Sequence, residues 1–333
     1  MKQGKNITMR EVAKLAEVSV SSVSRYLADP KSIQPLAAYK IKEAIQDLDY
    51  QPNVLARNLK QNRSNTIGIV VPYIDYTFGE ICAVAADYFY ERNYVAFTCQ
   101  TNNDPDKEKY YVQSFLSQAV AGLMIAPCGI NTDYLRTIAK NNKNIVVLDR
   151  REEIGCDIVA MDFEKCSYDL AMHMLGKNRC DGITVFLGAE HSIHTRDSIA
   201  GIRNAFLDTG RDSSKANLVF NCHKVENVIN ATRHLYEQLL PNQRPAILAL
   251  GTAFVEYAII ALNQFGDKAR ERVDLGGFSM KKVIQRLRLD IPYILHDATA
   301  EGIAACEVLL GRITKKSEER PKLHELKPVY YLK

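Results

Sequence analysis

The chain predicts a small all-α helix-turn-helix unit followed by an α/β core of two lobes, each a doubly wound parallel sheet. Three observations carry that prediction. Between Val12 and Leu48, apolar residues recur at helical spacing around two short breaks, giving three short amphipathic helices. From Thr66 onward, short apolar runs alternate with longer helical stretches, the pattern of parallel strands joined by crossover helices. Charge divides at the same place. Residues 1–63 hold 11 Lys and Arg against 6 Asp and Glu, and the remaining 270 hold 32 against 33. A small basic module of this kind suits a polyanionic partner.

The totals exclude several classes. At 333 residues the chain has room for two or three domains. Its 47% hydrophobic and 25% charged residues are those of a globular protein. No window approaches the roughly 18 uninterrupted apolar residues of a membrane span. The start, MKQGKNITMREVAKLAEV, is polar and carries a charged helix rather than a secretory signal, so the expected location is the cytoplasm. Cysteines at 82, 99, 128, 156, 166, 180, 222 and 306 show no CxxC or Cys/His clustering, which predicts reduced thiols and no metal site. No GxGxxG or Walker loop follows an apolar run, so no nucleotide cofactor is expected. His191 and His194 read as loop histidines, and Asp104 with Asp106 as a turn with a helix cap. No constellation points to an enzyme.

Each element of the first unit has a local reason. Thr8 and Glu11 have capping-box spacing, so a helix starts near Met9 and buries Val12, Ala13 and Ala16. The residues Glu17, Val18 and Ser19 interrupt it, and Ser19 caps a second helix from Val20 to Leu27. Val23 and Leu27 face the first helix while Ser21, Ser22 and Arg25 point outward. A third helix has Pro35 in its first turn and the stripe Ile41, Ala44, Ile45 and Leu48. Two helices around a three-residue turn form a helix-turn-helix whose second helix enters the DNA major groove. An arginine there bonds guanine in bidentate fashion, and short hydroxyl side chains let the backbone approach phosphate.

Val18 to Arg25, Tyr50 to Leu59 and Ile67 to Pro72 spell V-S-x-x-S-V-S-R, Y-x-P-N-x-x-A-R-x-L and I-G-x-x-V-P. In these motifs the chain resembles the lactose-repressor family, in register over about seventy residues and more loosely to about residue 310. The resemblance implies base reading by Val20, Ser21 and Arg25 and phosphate contacts at Ser19 and Ser22, with Thr8 in the same DNA-facing set. It places a hinge helix at 53–60, with Asn53, Val54, Ala56, Arg57 and Lys60 at DNA and Leu59 wedged into the minor groove. Eight residues are too few for a stable isolated helix, so the hinge is expected to order on DNA. Glu17 and Asp49 stand where the family has Gly or Asn; a left-handed backbone there costs a residue with a Cβ on the order of 1 kcal/mol.

In the core, 67–71, 95–98, 122–126, 144–149, 182–187, 246–250 and 275–278 read as strands. The expected domains are 1–52, the hinge and linker 53–65, the two-lobed core 66–325, and a C-terminal strand and tail 326–333. The resemblance implies a type I periplasmic-binding-protein core with an effector cleft at Tyr73, Tyr76, Phe78, Asp149 and Arg150. The family's remaining polar anchors are replaced: Ser198 stands for its Arg, with Arg196 two residues upstream, Gly251 for its Asn, and Ser279 for its Asp.

The expected function is a homodimeric DNA-binding transcription regulator, a repressor acting on double-stranded operator DNA. Control of carbohydrate-related genes is what the resemblance implies. For the cleft three readings stay open: a sugar or sugar phosphate held through Arg150 or Arg196, a corepressor protein, or lost response. A soluble small-molecule binding protein without specific DNA recognition is the rival.

Overall fold

The computed structural model describes residues 7–51, 64–176, 180–240, 242–315 and 320–332. It divides into two compact units, Met1–Ser64 and Asn65–Lys333. In the first, α1 (Met9–Leu15), α2 (Val20–Ala28) and α3 (Pro35–Asp47) enclose Val12, Ala13, Ala16, Val23, Ile41, Ala44 and Tyr50. At the start of α1 the Thr8 amide donates to Glu11 Oε2 at 2.7 Å, and the Thr8 hydroxyl donates to the same oxygen at 3.0 Å. Pro35 occupies the first turn of α3, where its missing N–H leaves nothing unpaired. Glu17, in the turn, has φ 54° and Asp49, after α3, has φ 45°, the left-handed region expected to strain residues with a Cβ.

The second unit holds two six-stranded sheets. The N-lobe sheet has the order β11-β5-β4-β3-β1-β2, built from β1 (Thr66–Val71), β2 (Val95–Gln100), β3 (Gly122–Ile125), β4 (Ile145–Leu148), β5 (Asp157–Met161) and β11 (Leu323–Leu326). The C-lobe sheet has the order β12-β10-β9-β8-β6-β7, built from β6 (Cys180–Phe186), β7 (Ala216–Val219), β8 (Arg244–Leu250), β9 (Asp274–Ser279), β10 (Tyr293–Leu295) and β12 (Val329–Tyr331). Within both sheets every pairing is parallel except β12 on β10.

Crossover helices cover both faces. In the N-lobe these are α4 (Tyr76–Tyr90), α5 (Pro105–Ser117), α6 (Thr132–Asn141) and α13 (Ala298–Lys315). In the C-lobe they are α7 (Phe163–Gly176), α8 (Ile193–Asp208), α9 (Val225–Glu237), α10 (Thr252–Asn263), α11 (Asp267–Arg272) and α12 (Lys281–Arg286). Asp104 caps α5, accepting from the amides of Asp106 at 2.9 Å and Lys107 at 3.1 Å.

The chain passes between lobes three times, after β5, after β10 and after β11. The tail therefore supplies a strand to each lobe. Arg312 and His324 pair with the buried Asp157 at 2.6 and 3.3 Å, fixing α13 and β11 to β5. Gly201 of α8 lies so close to α7 that a Cβ there would meet the Glu164 carbonyl oxygen at 2.0 Å. Only glycine allows that approach. No helix among the described residues is long and apolar enough to cross a membrane.

Candidate functional site

The first candidate surface is the outer face of α2. Ser19 caps the helix by accepting from the Ser22 amide at 3.1 Å, and its hydroxyl lies 2.7 Å from that of Ser21 and 2.9 Å from that of Ser22. These bonds gather three hydroxyls at the positive end of the helix. Val23 turns fully inward, and that rotation leaves Ser19, Val20, Ser21 and Arg25 exposed along one side. The face can offer a guanidinium, hydroxyls and backbone amides to a flat, negatively charged partner. Asn53, Val54, Ala56, Arg57, Leu59 and Lys60 lie outside the described residues.

The second surface is the cleft between the lobes of the core. A cavity of about 110 Å³ opens where β1, β2, β4, β6, β8 and β10 end, the place where doubly wound sheets bind ligands. Tyr73, Tyr76, Phe78, Asp149, Arg150 and Gly251 line it, so the structure brings these six expected positions together. Arg196, Ser198 and Ser279 do not line it. Ser198 and Ser279 are buried completely behind the wall, and Arg196 is exposed to solvent. The reason is helical: residues two apart on α8 point about 200° apart, so with Ser198 inward Arg196 faces out.

The lobes meet around the cavity. Tyr73 stacks on His223 with ring centroids 4.7 Å apart, Tyr76 donates to Glu256, and Lys282 pairs with Glu80. His191 Nε2 lies 3.3 Å from the Asn103 carbonyl oxygen. With these contacts in place the cavity, at about 110 Å³, is smaller than the roughly 300–1,000 Å³ of typical ligand sites. Arg150 is buried and turned into the N-lobe, donating to the Pro127 carbonyl and to Asn103 Oδ1, the latter at 3.0 Å. It braces the wall more than it reaches for a ligand.

Sequence reasoning missed Asn103, Thr195, Thr252, Phe254 and His296 as lining residues, and it read His194 as an ordinary loop histidine. All six line the cavity. Asn103, Thr252, Phe254 and His296 lie within four residues of a strand end, whereas His194 and Thr195 reach the cavity from the first turn of α8. For His296 that position was hidden because β10 has three residues. Asp149, which directly follows β4, has φ 58°, a strained geometry that clusters at functional sites. His296 Nε2 lies 3.2 Å from Asp149 Oδ1 and 3.0 Å from Glu301 Oε2. Burial opposes charge on His296, but the two carboxylates prevail and raise its pKa to about 10. Burial and the Asp149 charge push Glu301 up to about 7 against the pull of His296. Burial lowers His194 to about 4 and keeps it neutral. Burial raises the described thiols, Cys128 to about 11 and Cys156, Cys166, Cys222 and Cys306 to about 12, so these five are protonated at neutral pH.

Comparison with known proteins agrees with this architecture. Residues 8–53 match the family of bacterial regulatory proteins, lacI family, and residues 64–327 match the periplasmic binding proteins and sugar binding domain of the LacI family. The HTH-type transcriptional repressor PurR of Aliivibrio fischeri (strain ATCC 700601 / ES114) is 25% identical, with 96% of each chain covered. The probable HTH-type transcriptional regulator EndR of Paenibacillus polymyxa is 29% identical over 85% of this chain and 90% of its own. A crystal structure of the lac repressor dimer bound to operator and an anti-inducer superposes with a TM-score of 0.79 at 18% identity, covering 98% of this chain and 99% of that one. With a helix-turn-helix unit and a two-lobed core each matched along almost its whole length, this chain belongs to the lacI family of bacterial regulatory proteins and is a DNA-binding transcription regulator.

Proposed function

We propose that the protein is a repressor that binds a near-palindromic operator as a homodimer, with Val20, Ser21 and Arg25 of each copy at the base edges of one half-site. The single observation that carries this reading is the exposed, hydroxyl-lined face of α2 with Arg25 projecting from it. Ser19, Ser22 and Thr8 would serve phosphate, and the 53–60 segment, with Leu59 as its wedge, would supply the minor-groove contact. Pairing of two copies is supported by the edge strand β2, where Val95 and Phe97 are 49% and 54% exposed; apolar groups in a row on a sheet edge favour a partner. The basic balance of residues 1–63 favours DNA recognition over a binding protein with an incidental basic start.

The cleft is read as the regulatory site, acting by lobe closure, with a coupling typically of 1–3 kcal/mol. Tyr73 and Tyr76 offer ring faces, and the buried hydroxyls of Thr195 and Thr252 have no hydrogen-bond partner among the described residues. That wall suits a small polyhydroxyl compound of the sugar class. Serines in place of both charged anchors disfavour tight binding of a free sugar in the usual mode, because hydrogen bonds to charged groups contribute roughly 1.5–3 kcal/mol each. Enzymatic turnover is not part of this reading.

The test is footprinting of the full-length chain on genomic fragments selected by binding. A protected, two-fold symmetric site is the expected result. Fragments retained without sequence preference would overturn the reading.

A further inference from the structure

Asp149, His296 and Glu301 come from the end of β4, the link between β10 and α13, and the first turn of α13. They are 5%, 7% and 0% exposed. Their donor atoms lie within 4.8 Å of one another. Both carboxylates converge on the same nitrogen, Nε2 of His296, at 3.2 and 3.0 Å. One N–H cannot point straight at both acceptors. It is shared with Glu301, and among the described residues Asp149 Oδ1 and Glu301 Oε1 are buried without a hydrogen-bond partner. The His296 ring can supply at most one positive charge against two buried carboxylates, and carboxylate oxygens left without a partner are costly unless further positive charge compensates them. Arg150, the next residue along, directs its guanidinium at Pro127 and Asn103, and among the described residues no guanidinium or ammonium group bonds the cluster.

A spherical cation suits this geometry better than a proton. Metal–donor bonds of about 2.0–2.2 Å put neighbouring donors of an octahedral or tetrahedral ion roughly 3.0–3.5 Å apart, the spacing found here around Nε2. One imidazole with two carboxylates is a set that accepts Zn²⁺ or Mn²⁺. Asp149 and His296 line the interlobe cavity, and Glu301 stands behind them. The unfilled coordination positions would therefore face the cleft. We infer that Asp149, His296 and Glu301 form a binding site for one divalent transition-metal ion, with its open side turned to the interlobe cavity. The ion takes the place of the Nε2 proton, satisfies both carboxylates at once, and presents a Lewis-acidic position to any oxygen-bearing molecule in the cleft. The site is independent of what the small unit binds.

The test uses the full-length chain stripped with a chelator. Mn²⁺ binding is followed by loss of the free-ion electron paramagnetic resonance signal, with Zn²⁺ as competitor and thermal unfolding as second readout. The expected result is one saturable Mn²⁺ per chain, displaced by Zn²⁺, with a rise in Tm. In Glu301→Gln and Asp149→Asn, each checked for folding by circular dichroism, affinity should fall at least tenfold. A wild-type chain that takes up neither ion saturably below millimolar concentration overturns the site, whatever the variants do. Equally, wild-type affinity retained in a folded Glu301→Gln or Asp149→Asn variant places the ion elsewhere and overturns it.

Discussion

The outer face of α2 and the interlobe cleft are built in opposite ways. On α2 the polar groups are exposed and held by bonds among neighbours in sequence, Ser19 with Ser21 and Ser22. In the cleft they are enclosed and held by residues far apart in sequence, as with Asp149, His296 and Glu301. An exposed face stays solvated until a partner arrives, so its charges need no compensation from the fold. An enclosed one cannot rely on water to compensate its charges, and its ionisation is coupled to folding. Substitutions on α2 should therefore change binding and leave stability alone, whereas substitutions around the cleft should change stability first.

The largest expected departure tests the cleft side. Phe163 is 1% exposed and packs on His194 at 4.1 Å, on His296 at 5.7 Å and on Phe278 at 5.8 Å between ring centroids. Phe163→Ala should destabilise the core by about 3–5 kcal/mol, read as a lower urea midpoint; a loss below about 1 kcal/mol would break the comparison. On the other side, Arg25→Ala should weaken specific DNA binding by roughly 1–3 kcal/mol with no change in Tm. A Tm shift with selectivity intact would reverse its assignment.

A pH experiment sharpens the same contrast. Burial, aided by the charge of Glu164, raises Asp197 to about 6 from its ordinary 3.8. A raised folded-state pKa contributes stability that is full below about pH 3.8 and is lost as pH rises through about 6. Asp197→Asn should therefore gain on wild type by about 1 kcal/mol at pH 7.5, a figure reduced for the partial exposure of the group, and gain little at pH 4. Equal gains at both pH values would contradict the shift. The smallest effect concerns the turn after α3, where Asp49 has φ 45°. Asp49→Gly should stabilise the small unit by about 1 kcal/mol or less, seen as a modest rise in its melting temperature.

The same contrast explains what the sequence made legible. In the small unit the caps at Thr8 and Ser19, the buried Val12, Val23 and Ile41, and the exposed Ser21 and Arg25 all follow from spacing within a few residues. Alternation revealed the doubly wound lobes, but not every strand in them. β5, β7, β10 and β11 have three to five residues; β3 and β4 are as short but lie within longer unbroken apolar runs, which made them legible. β5 also opens on the buried Asp157, whose partners Arg312 and His324 lie at the far end of the chain. In the cleft Asp149 and Arg150 were visible at the end of a strong apolar strand. His296 and Glu301 were not, because nothing local distinguishes a buried acid from an exposed one on a charged helix.

The most direct test of the central claim, that the exposed face of α2 reads DNA sequence, is the affinity of the full-length chain for a selected genomic site and for a scrambled duplex of equal length, measured over a range of salt. The account predicts that both affinities fall steeply with salt while the selected site stays at least about a thousandfold tighter. Equal affinity for the two duplexes at every salt concentration would contradict it.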